Sequence, residues 1–291
     1  MMTEPLPPSR AFDRSAIAAA RQRFFAPVGQ RPVLMGIVNV TPDSFSDGGL
    51  FVSREAALAQ ARKLVADGAD IVDVGAESTR PGHTPVSPED EWARLEPVLA
   101  TLVAEAGAPV SIDTYKALTA RRALAVGVAV VNDVWGLQRD PDMAHAVAEA
   151  DAGVVVMHNR DGVDPDLDIV ADMLRFFERS LEIAQRAGIA AAHIALDPGI
   201  GFGKSRQQNY DALRAIPRLL TLGFPLLIGV SRTSIFKDVA GGIVEGRLLG
   251  TLAANLLCAE KGAQIFRVHD VADHRGAFSV MAALHDASAS A

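Results

Sequence analysis

The sequence predicts an α/β protein, and its most direct interpretation is a (β/α)8 barrel, also called a TIM barrel. Eight short runs rich in Val and Ile recur along the 291 residues, and stretches with helical features lie between them. The runs are apolar throughout, without the alternation of a half-exposed strand, which is typical of parallel strands buried on both faces. A doubly wound open sheet is the alternative arrangement.

The predicted strands and helices alternate from residue 33 onwards. The strands are expected over residues 33–40, 71–77, 110–114, 130–133, 154–158, 193–199, 225–232 and 264–270. Ser53 is a predicted N-cap and Gly68 a predicted C-cap of the first helix, while Ser87 and Pro88 begin the second, which stops at Gly107. Further helices are expected over residues 116–126, 141–150, 167–187, 207–222, 245–261 and 271–285.

The ends of the chain are expected to lie outside the barrel. The opening MMTEPLPPSRAF is rich in Pro and is expected to be disordered, and the following RSAIAAARQRFFAP predicts a short helix. We therefore expect an N-terminal extension over residues 1–30, a single barrel domain over residues 31–287, and a tail over residues 288–291.

Composition excludes several classes of partner. The chain carries 28 Lys and Arg against 35 Asp and Glu, a net charge of −7, so nucleic acid is not an expected partner. No apolar run reaches the roughly 18 residues of a membrane span, and the N-terminus lacks the pattern of a secretion signal. The single cysteine, Cys258, cannot form an internal disulfide, so we expect a reducing, cytoplasmic setting.

Polar residues stand at the end of every predicted strand. They are Asn39, Asp73, Glu77, Asp113, Asn132, Asp133, His158, Asp197, Ser231, Arg232, Arg267 and His269. The carboxyl ends of barrel strands share one face, so we expect these side chains to converge on one pocket. A strand-end cap explains any one of them equally well, but structural need alone would not place polar groups at the same end of every strand.

One part of this set suits a heterocycle. Asp113, Asn132 and Asp197 combine carboxylate and amide groups, which match a flat ring with a donor and acceptor edge, such as a guanidine-like pyrimidine.

Another part suits a phosphate with a divalent ion. Arg80, Arg267 and His269 can supply positive charge, and Asn39 can supply an oxygen ligand. A pocket with both parts should bind a phosphorylated heterocycle.

The motifs that contain these residues resemble those of the dihydropteroate synthases, which join a pterin methyl diphosphate to p-aminobenzoate. The resemblance covers roughly residues 33–285 and is carried, in order, by MGIVNVTPDSFSDGG, IVDVGAESTRPG, SIDTYK, VVNDV, VVMH, LDPGIGFGK, GVSR and RVHD. It implies an eight-stranded barrel, usually a homodimer. For the pterin ring it implies that Asp113, Asn132 and Asp197 hold the ring, with Asp73 close by and Met157 against its face.

The same resemblance implies roles around the other substrate groups. Asn39 would bind the Mg²⁺ that accompanies the diphosphate, and Arg80, Arg267 and His269 would bind the diphosphate oxygens. Phe45 and the loop around it would close over the second substrate. The residues implied at the border of the aminobenzoate pocket are Thr79, Pro81, Gly201, Phe202 and Ser234.

One position departs from the family pattern. Members of the family read Ser-Arg-Lys after the seventh strand, whereas this chain has GVSRTSIF, with Thr233 in the place of the Lys. One interpretation is a working synthase with altered turnover or sulfonamide response, with Lys237 or Lys204 as possible replacements. Another is a paralogue that binds pterin without the usual reaction. Pterin-binding domains of corrinoid methyl transfer and a pterin sensor are further alternatives, although the former should lack ESTRPG and RVHD.

Overall fold

The computed structural model of the chain describes residues 12–40, 49–77, 86–236 and 244–289, and it confirms the eight-stranded barrel. The strands are β1 (Val33–Asn39), β2 (Ile71–Gly75), β3 (Val110–Asp113), β4 (Val130–Asp133), β5 (Gly153–Met157), β6 (Ile194–Asp197), β7 (Leu227–Ile228) and β8 (Ile265–Val268). Their order in the sheet is β6-β5-β4-β3-β2-β1-β8-β7, and neighbouring strands are parallel. A parallel bridge between Leu196 and Leu226 joins β6 to the start of β7 and closes the barrel.

Helix α1 precedes the first strand, and the other helices follow the strands and form the outer layer. They are α1 (Arg14–Phe25), α2 (Gly49–Ala66), α3 (Pro88–Glu105), α4 (Ala117–Ala125), α5 (Met143–Ala150), α6 (Ile169–Ala187), α7 (Arg206–Arg214), α8 (Ile216–Leu219), α9 (Val244–Glu260) and α10 (Val271–Ala289). None of the described helices is both long and apolar enough to cross a membrane.

Two of the predicted helix boundaries are wrong and one is confirmed. Helix α2 begins at Gly49, so Ser53 lies within the helix and is not its N-cap. The single helix expected over residues 207–222 is divided, because Pro217, in the first turn of α8, has no N–H to continue the hydrogen bonds of α7. Ser87 is the N-cap of α3, and its side chain accepts a hydrogen bond from the backbone N–H of Asp90.

The strand residues separate into two buried sets because successive side chains point to opposite faces. One cluster includes Val33, Met35, Ile71, Val155 and Ile265, which fill the interior of the barrel toward the amino ends of the strands. A second, larger cluster contains the alternate strand residues, whose side chains point outward and pack against the helices. A residue two positions beyond an interior residue therefore also points inward.

Helix α1 closes the amino end of the barrel. Ile17 and Phe24 are fully buried, and Phe24 belongs to the same cluster as the first residues of β1 and β2. The ring of Phe25 approaches so closely that a Cβ on Gly153 would lie 2.7 Å from it. The helix expected within residues 1–30 is therefore present, and it shares the core of the barrel that was expected to begin at residue 31.

Candidate active site

The candidate site forms where the inward-facing side chains change from apolar to polar. Asp73 lies two residues beyond Ile71, and Asn132 lies two residues beyond Val130. The strand register places Asp113 beside Asn132 and Asp197 beside Met157. Since all strands are parallel, these groups form one polar layer at the carboxyl end of the barrel. This layer contains all five residues expected to bind the pterin ring.

Asp73 organises the floor of the layer. It is fully buried, and its Oδ1 accepts a hydrogen bond from the Ser111 hydroxyl at 2.7 Å. Its Oδ2 accepts bonds from Asn132 Nδ2 at 3.1 Å and from Arg267 Nε at 2.6 Å. Because Asp73 binds the amide nitrogen of Asn132, the Oδ1 atom of Asn132 remains available to another donor.

Arg267 crosses the floor from β8 to β3. Its second donor group, Nη2, binds Asp113 Oδ2 at 2.7 Å. Burial raises the pKa of Asp113 above its usual range, an effect that the Arg267 charge opposes and Asp73 reinforces. Burial alone would lower the pKa of Arg267, but the charges of Asp73 and Asp113 raise it, so the guanidinium stays protonated.

Two oxygen atoms of this floor are buried without a hydrogen-bond partner among the described residues. They are Asp113 Oδ1 and Asn132 Oδ1, and the register places their residues side by side on β3 and β4. A buried acceptor without a donor costs about 1–3 kcal/mol. Two neighbouring acceptors without donors suit a ligand that presents N–H groups to both.

Asp197 and Met157 form the adjoining wall. Both are almost fully buried, and Asp197 Oδ1 accepts a hydrogen bond from the Gly199 backbone N–H at 2.7 Å. Burial raises the pKa of Asp197 to about 6, although this backbone bond opposes the shift. An ionised carboxylate and a thioether at one wall suit a ring that donates at its edge and is apolar on its face.

The rim of the pocket is more open. Asn39 ends β1 with an exposed side chain, and the register places it beside Gly75. His269 follows β8 and is partly buried. Its Nδ1 lies 2.8 Å from the Ser231 hydroxyl, which also accepts the His269 backbone N–H at 3.1 Å. This double contact fixes the imidazole ring at the end of β8.

The expected border of the second-substrate pocket is only partly described. Gly201 and Phe202 lie in the loop after β6, where Gly201 donates to Asn209 Oδ1 at 2.6 Å. Ser234 begins a short 3-10 turn after β7 and is exposed. Phe45, Thr79, Arg80, Pro81 and Lys237 lie outside the described residues.

Comparison with known proteins agrees with this arrangement. The family profile described as pterin binding enzyme matches residues 35–269. A dihydropteroate synthase of Clostridium beijerinckii is 42% identical over 248 residues, which cover 85% of this chain and 92% of that protein. The chain belongs to the pterin-binding enzymes, as a dihydropteroate synthase.

Solved structures of the same family superpose closely. The dihydropteroate synthase of Clostridium difficile, crystallised in the presence of pteroic acid, is 46% identical with a TM-score of 0.85, covering 88% of this chain and 98% of that one. The synthase of Xanthomonas albilineans with 4-aminobenzoic acid is 44% identical with a TM-score of 0.83, covering 88% of this chain and 93% of that one.

Not every polar strand end of this synthase faces the pocket, as the sequence had suggested. The side chains of Asp133 and His158 alternate with the inward-facing ones and point outward, toward the layer of helices. Asp133 accepts hydrogen bonds from the backbone N–H groups of Trp135 and Leu137, and fully buried His158 contacts Asp172 of α6 through Nε2 at 3.2 Å. Burial lowers the pKa of His158 to about 3, so it is neutral. Both residues support loops.

A buried ionic cluster behind β2 and β3 was missed from the sequence. Lys116 binds Glu77 and also binds Glu91 of α3 at 3.2 Å. Glu91 accepts a further bond from Thr119 at 2.7 Å. Glu77 directly precedes the segment that contains Thr79 and Arg80. Nothing in the sequence pairs Glu91 with Lys116, which lie 25 positions apart, and only three-dimensional contact reveals the cluster.

Proposed function

We propose that the chain condenses 6-hydroxymethyl-7,8-dihydropterin diphosphate with p-aminobenzoate, giving 7,8-dihydropteroate and diphosphate in folate biosynthesis. The single observation that carries the pterin half is the pair of buried, unpaired oxygens of Asp113 and Asn132. The amino-pyrimidine edge of a pterin presents adjacent N–H groups, which would satisfy both. The comparisons with synthases of this reaction support the same assignment.

The pterin ring is proposed to lie on the floor of the pocket. Asp197 accepts from the guanidine-like edge, and Met157 packs against one face of the ring. Asp73 acts mainly by holding Asn132 and Arg267, since both of its oxygens already accept hydrogen bonds. Arg267 has five N–H donors, of which two bind Asp73 and Asp113. Its other donors suit the ring edge or the diphosphate.

The diphosphate is proposed to lie at the rim. His269, held by Ser231, and Arg80 would bind its oxygens together with Arg267. Asn39 fits a magnesium site because it is exposed at the end of β1 and its amide oxygen is a hard ligand, and Mg²⁺ in such sites usually shares its coordination with substrate phosphates and water. When bound, Mg²⁺ would neutralise part of the charge of the leaving diphosphate.

The reaction is proposed to be a substitution at the pterin methylene, in which the bond to the diphosphate breaks before the new C–N bond is complete. Arg267, Arg80 and His269 stabilise the negative charge that develops on the leaving group, which is commonly worth several kcal/mol. The amine of p-aminobenzoate is neutral at physiological pH, so it attacks without a strong general base. Thr79, Pro81, Gly201, Phe202 and Ser234 would border this second substrate, with Phe45 closing over it.

Residue 233 does not overturn this assignment. The structure places Thr233 between the end of β7 and a 3-10 turn, and Ile235 N–H donates weakly to its hydroxyl at 3.4 Å. The chain keeps the ESTRPG and RVHD motifs, which a domain for corrinoid methyl transfer should lack. The similarity to dihydropteroate synthases favours a synthase with modified turnover over a paralogue that only binds pterin, and an altered response to sulfonamides is proposed.

We propose a cytoplasmic homodimer. The support for the dimer is an exposed apolar face on α9, where Leu249 and Leu257 are 66% and 63% exposed. Beside it lies an apolar groove of about 300 Å³ between α7 and α9, lined by Tyr210, Phe236 and Leu257 among others. A second copy would cover this face. Sedimentation of the Leu257→Arg variant, with Val163→Arg as the control, should show selective loss of the dimer.

The direct test is turnover by the purified protein. With both substrates and Mg²⁺, chromatography should show dihydropteroate and released diphosphate in equal amounts. Calorimetric titration with each substrate alone separates the alternatives: a chain that binds the pterin diphosphate but never forms product is the binding paralogue. A chain that binds neither substrate contradicts the proposed function altogether.

A further inference from the structure

Lys204 occupies an unusual position just beyond the pocket wall. Its side chain is buried, with only 6% of the residue exposed. The ammonium nitrogen donates to three backbone carbonyl oxygens: Gly199 at 2.8 Å, Phe202 at 3.0 Å and His158 at 3.4 Å. An ammonium group has three N–H donors and no acceptor, so the three carbonyls match its capacity.

The three carbonyls come from two different loops. His158 is the first residue after β5, while Gly199 and Phe202 belong to the loop after β6. These loops touch through their backbones, since a Cβ on Gly199 would lie 1.9 Å from the His158 oxygen and a Cβ on Gly203 2.6 Å from the Arg160 oxygen. Lys204 therefore lies where two loops approach so closely that only glycine fits, and it binds its own loop through Gly199 and Phe202 and the other loop through His158.

This junction joins the two halves of the substrate site. On one side, Met157 precedes His158, and the His158 N–H binds the Asp197 carbonyl at 2.8 Å. On the other side, Gly201 and Phe202 are proposed to border the aminobenzoate pocket. A shift of the loop after β6 against the end of β5 would change the separation between the two substrates.

We propose that Lys204 is a positioning residue whose ammonium holds the loop of residues 199–203 against the end of β5 and so sets the place of the aminobenzoate relative to the pterin. The inference deepens the proposed function and rests on it. It also replaces the role suggested for Lys204 as a substitute for the family Lys, because its donors are directed at the backbone.

The charges around Lys204 make this role depend on pH. Burial lowers the pKa of Lys204 to about 7, although the carboxylates of Asp197 and Asp172 oppose the shift and Arg160 adds to it. His158 stays neutral and does not titrate in the same range. As the pH rises through about 7, the side chain loses its charge and one N–H donor, and the junction loosens.

The first experiment compares Lys204→Met with the wild type. Met has a similar length but no donor, and exposed Lys63→Met serves as the control. At saturating pterin diphosphate, Lys204→Met should raise the KM for p-aminobenzoate about tenfold, because misplacing one reactant is costly. The affinity for the pterin diphosphate alone should change less than threefold. An unchanged KM for p-aminobenzoate in a folded variant overturns the proposal.

The second experiment measures the pH dependence of the KM for p-aminobenzoate in the wild type and in Lys204→Met. In the wild type, the KM for p-aminobenzoate should rise between about pH 6 and pH 8, a range in which the ionisation of p-aminobenzoate itself is constant. A flat profile overturns the proposal, and a profile that stays equally steep in Lys204→Met does the same. If the wild type forms no product at any pH, it is the proposed function that fails.

Discussion

The floor and the rim of the pocket hold their polar groups in different ways. On the floor, Asp73, Asp113 and Asn132 are buried, and hydrogen bonds link them to one another or to the partly exposed Arg267. On the rim, Asn39 is exposed and His269 is only partly buried. The groups proposed to hold the pterin are therefore linked to one another by hydrogen bonds before any ligand binds, whereas those proposed to bind the diphosphate are more exposed to solvent. Changes to the floor should therefore affect both stability and binding, and changes to the rim mainly turnover.

The largest expected effect is a difference in stability between variants of two arginines, Arg267 and Arg232. Arg267→Met leaves two buried carboxylates without their cation, so the free energy of unfolding should fall by about 3 kcal/mol or more. Arg232→Met breaks a half-exposed pair with Asp270 and should cost less than about 1 kcal/mol. Urea denaturation at neutral pH measures both. Equal losses would mean that the floor is no more preorganised than the rim.

The next effect concerns the pterin ring. Asp113→Asn keeps the shape of the side chain but removes a buried carboxylate, so the Kd for the pterin diphosphate should rise about 100-fold. Asp142→Asn is the matched control, because Asp142 is exposed and its side chain makes no capping bond to α5. A Kd within threefold of the wild type would place the ring elsewhere.

The affinity for the ring should also depend on pH. An N–H edge binds ionised Asp197, whose pKa is raised by burial to about 6. Affinity should therefore fall by about tenfold per unit as the pH drops below this value, because protonation removes the acceptor. Burial also raises the pKa of Asp113. Titration with a pterin that lacks the diphosphate avoids the ionisation of phosphate, and Asp197→Asn should weaken binding and flatten the curve. A constant affinity down to about pH 5 contradicts the assignment.

The sequence predicted the barrel because its information is local and repeated. Every strand was an apolar run, and every interval was long enough for a helix. It was less successful for the site, since a polar residue at a strand end can face either way. Counting by twos from interior residues separates the two cases: Asn132 follows inward Val130, whereas Asp133 follows outward Val131. The sequence shows that neighbouring residues face opposite sides of a strand, but only the fold shows which side faces the interior of the barrel.

Contacts between distant segments could not be predicted in this way. The acceptors of Lys204 are backbone carbonyls, one of them 46 residues earlier in the chain, and backbone atoms carry no sequence signal. The pairing of Arg267 with Asp73 joins residues 194 positions apart. The sequence assigned Arg267 to the diphosphate because of its charge, and the structure adds that its guanidinium binds Asp73 and Asp113, which are proposed to lie at the pterin.

The smallest expected effect is at the rim, where Thr233 stands in the place of the family Lys. The backbone before it is fixed, because Arg232 has a φ of 54° and is held by Asp270. A longer side chain at residue 233 would therefore start from a defined position. Thr233→Lys should raise kcat/KM severalfold, since it adds positive charge near the developing diphosphate charge without rebuilding its surroundings.

The control for this change is Thr233→Met, which has comparable length without charge. If both variants gain equally, packing and not charge limits the wild type. If Thr233→Lys gains nothing while the wild type turns over at a normal rate, the rim has already replaced the missing ammonium. The protein alone would then supply the charged groups of the rim as it supplies those of the floor, and the two regions would differ only in burial.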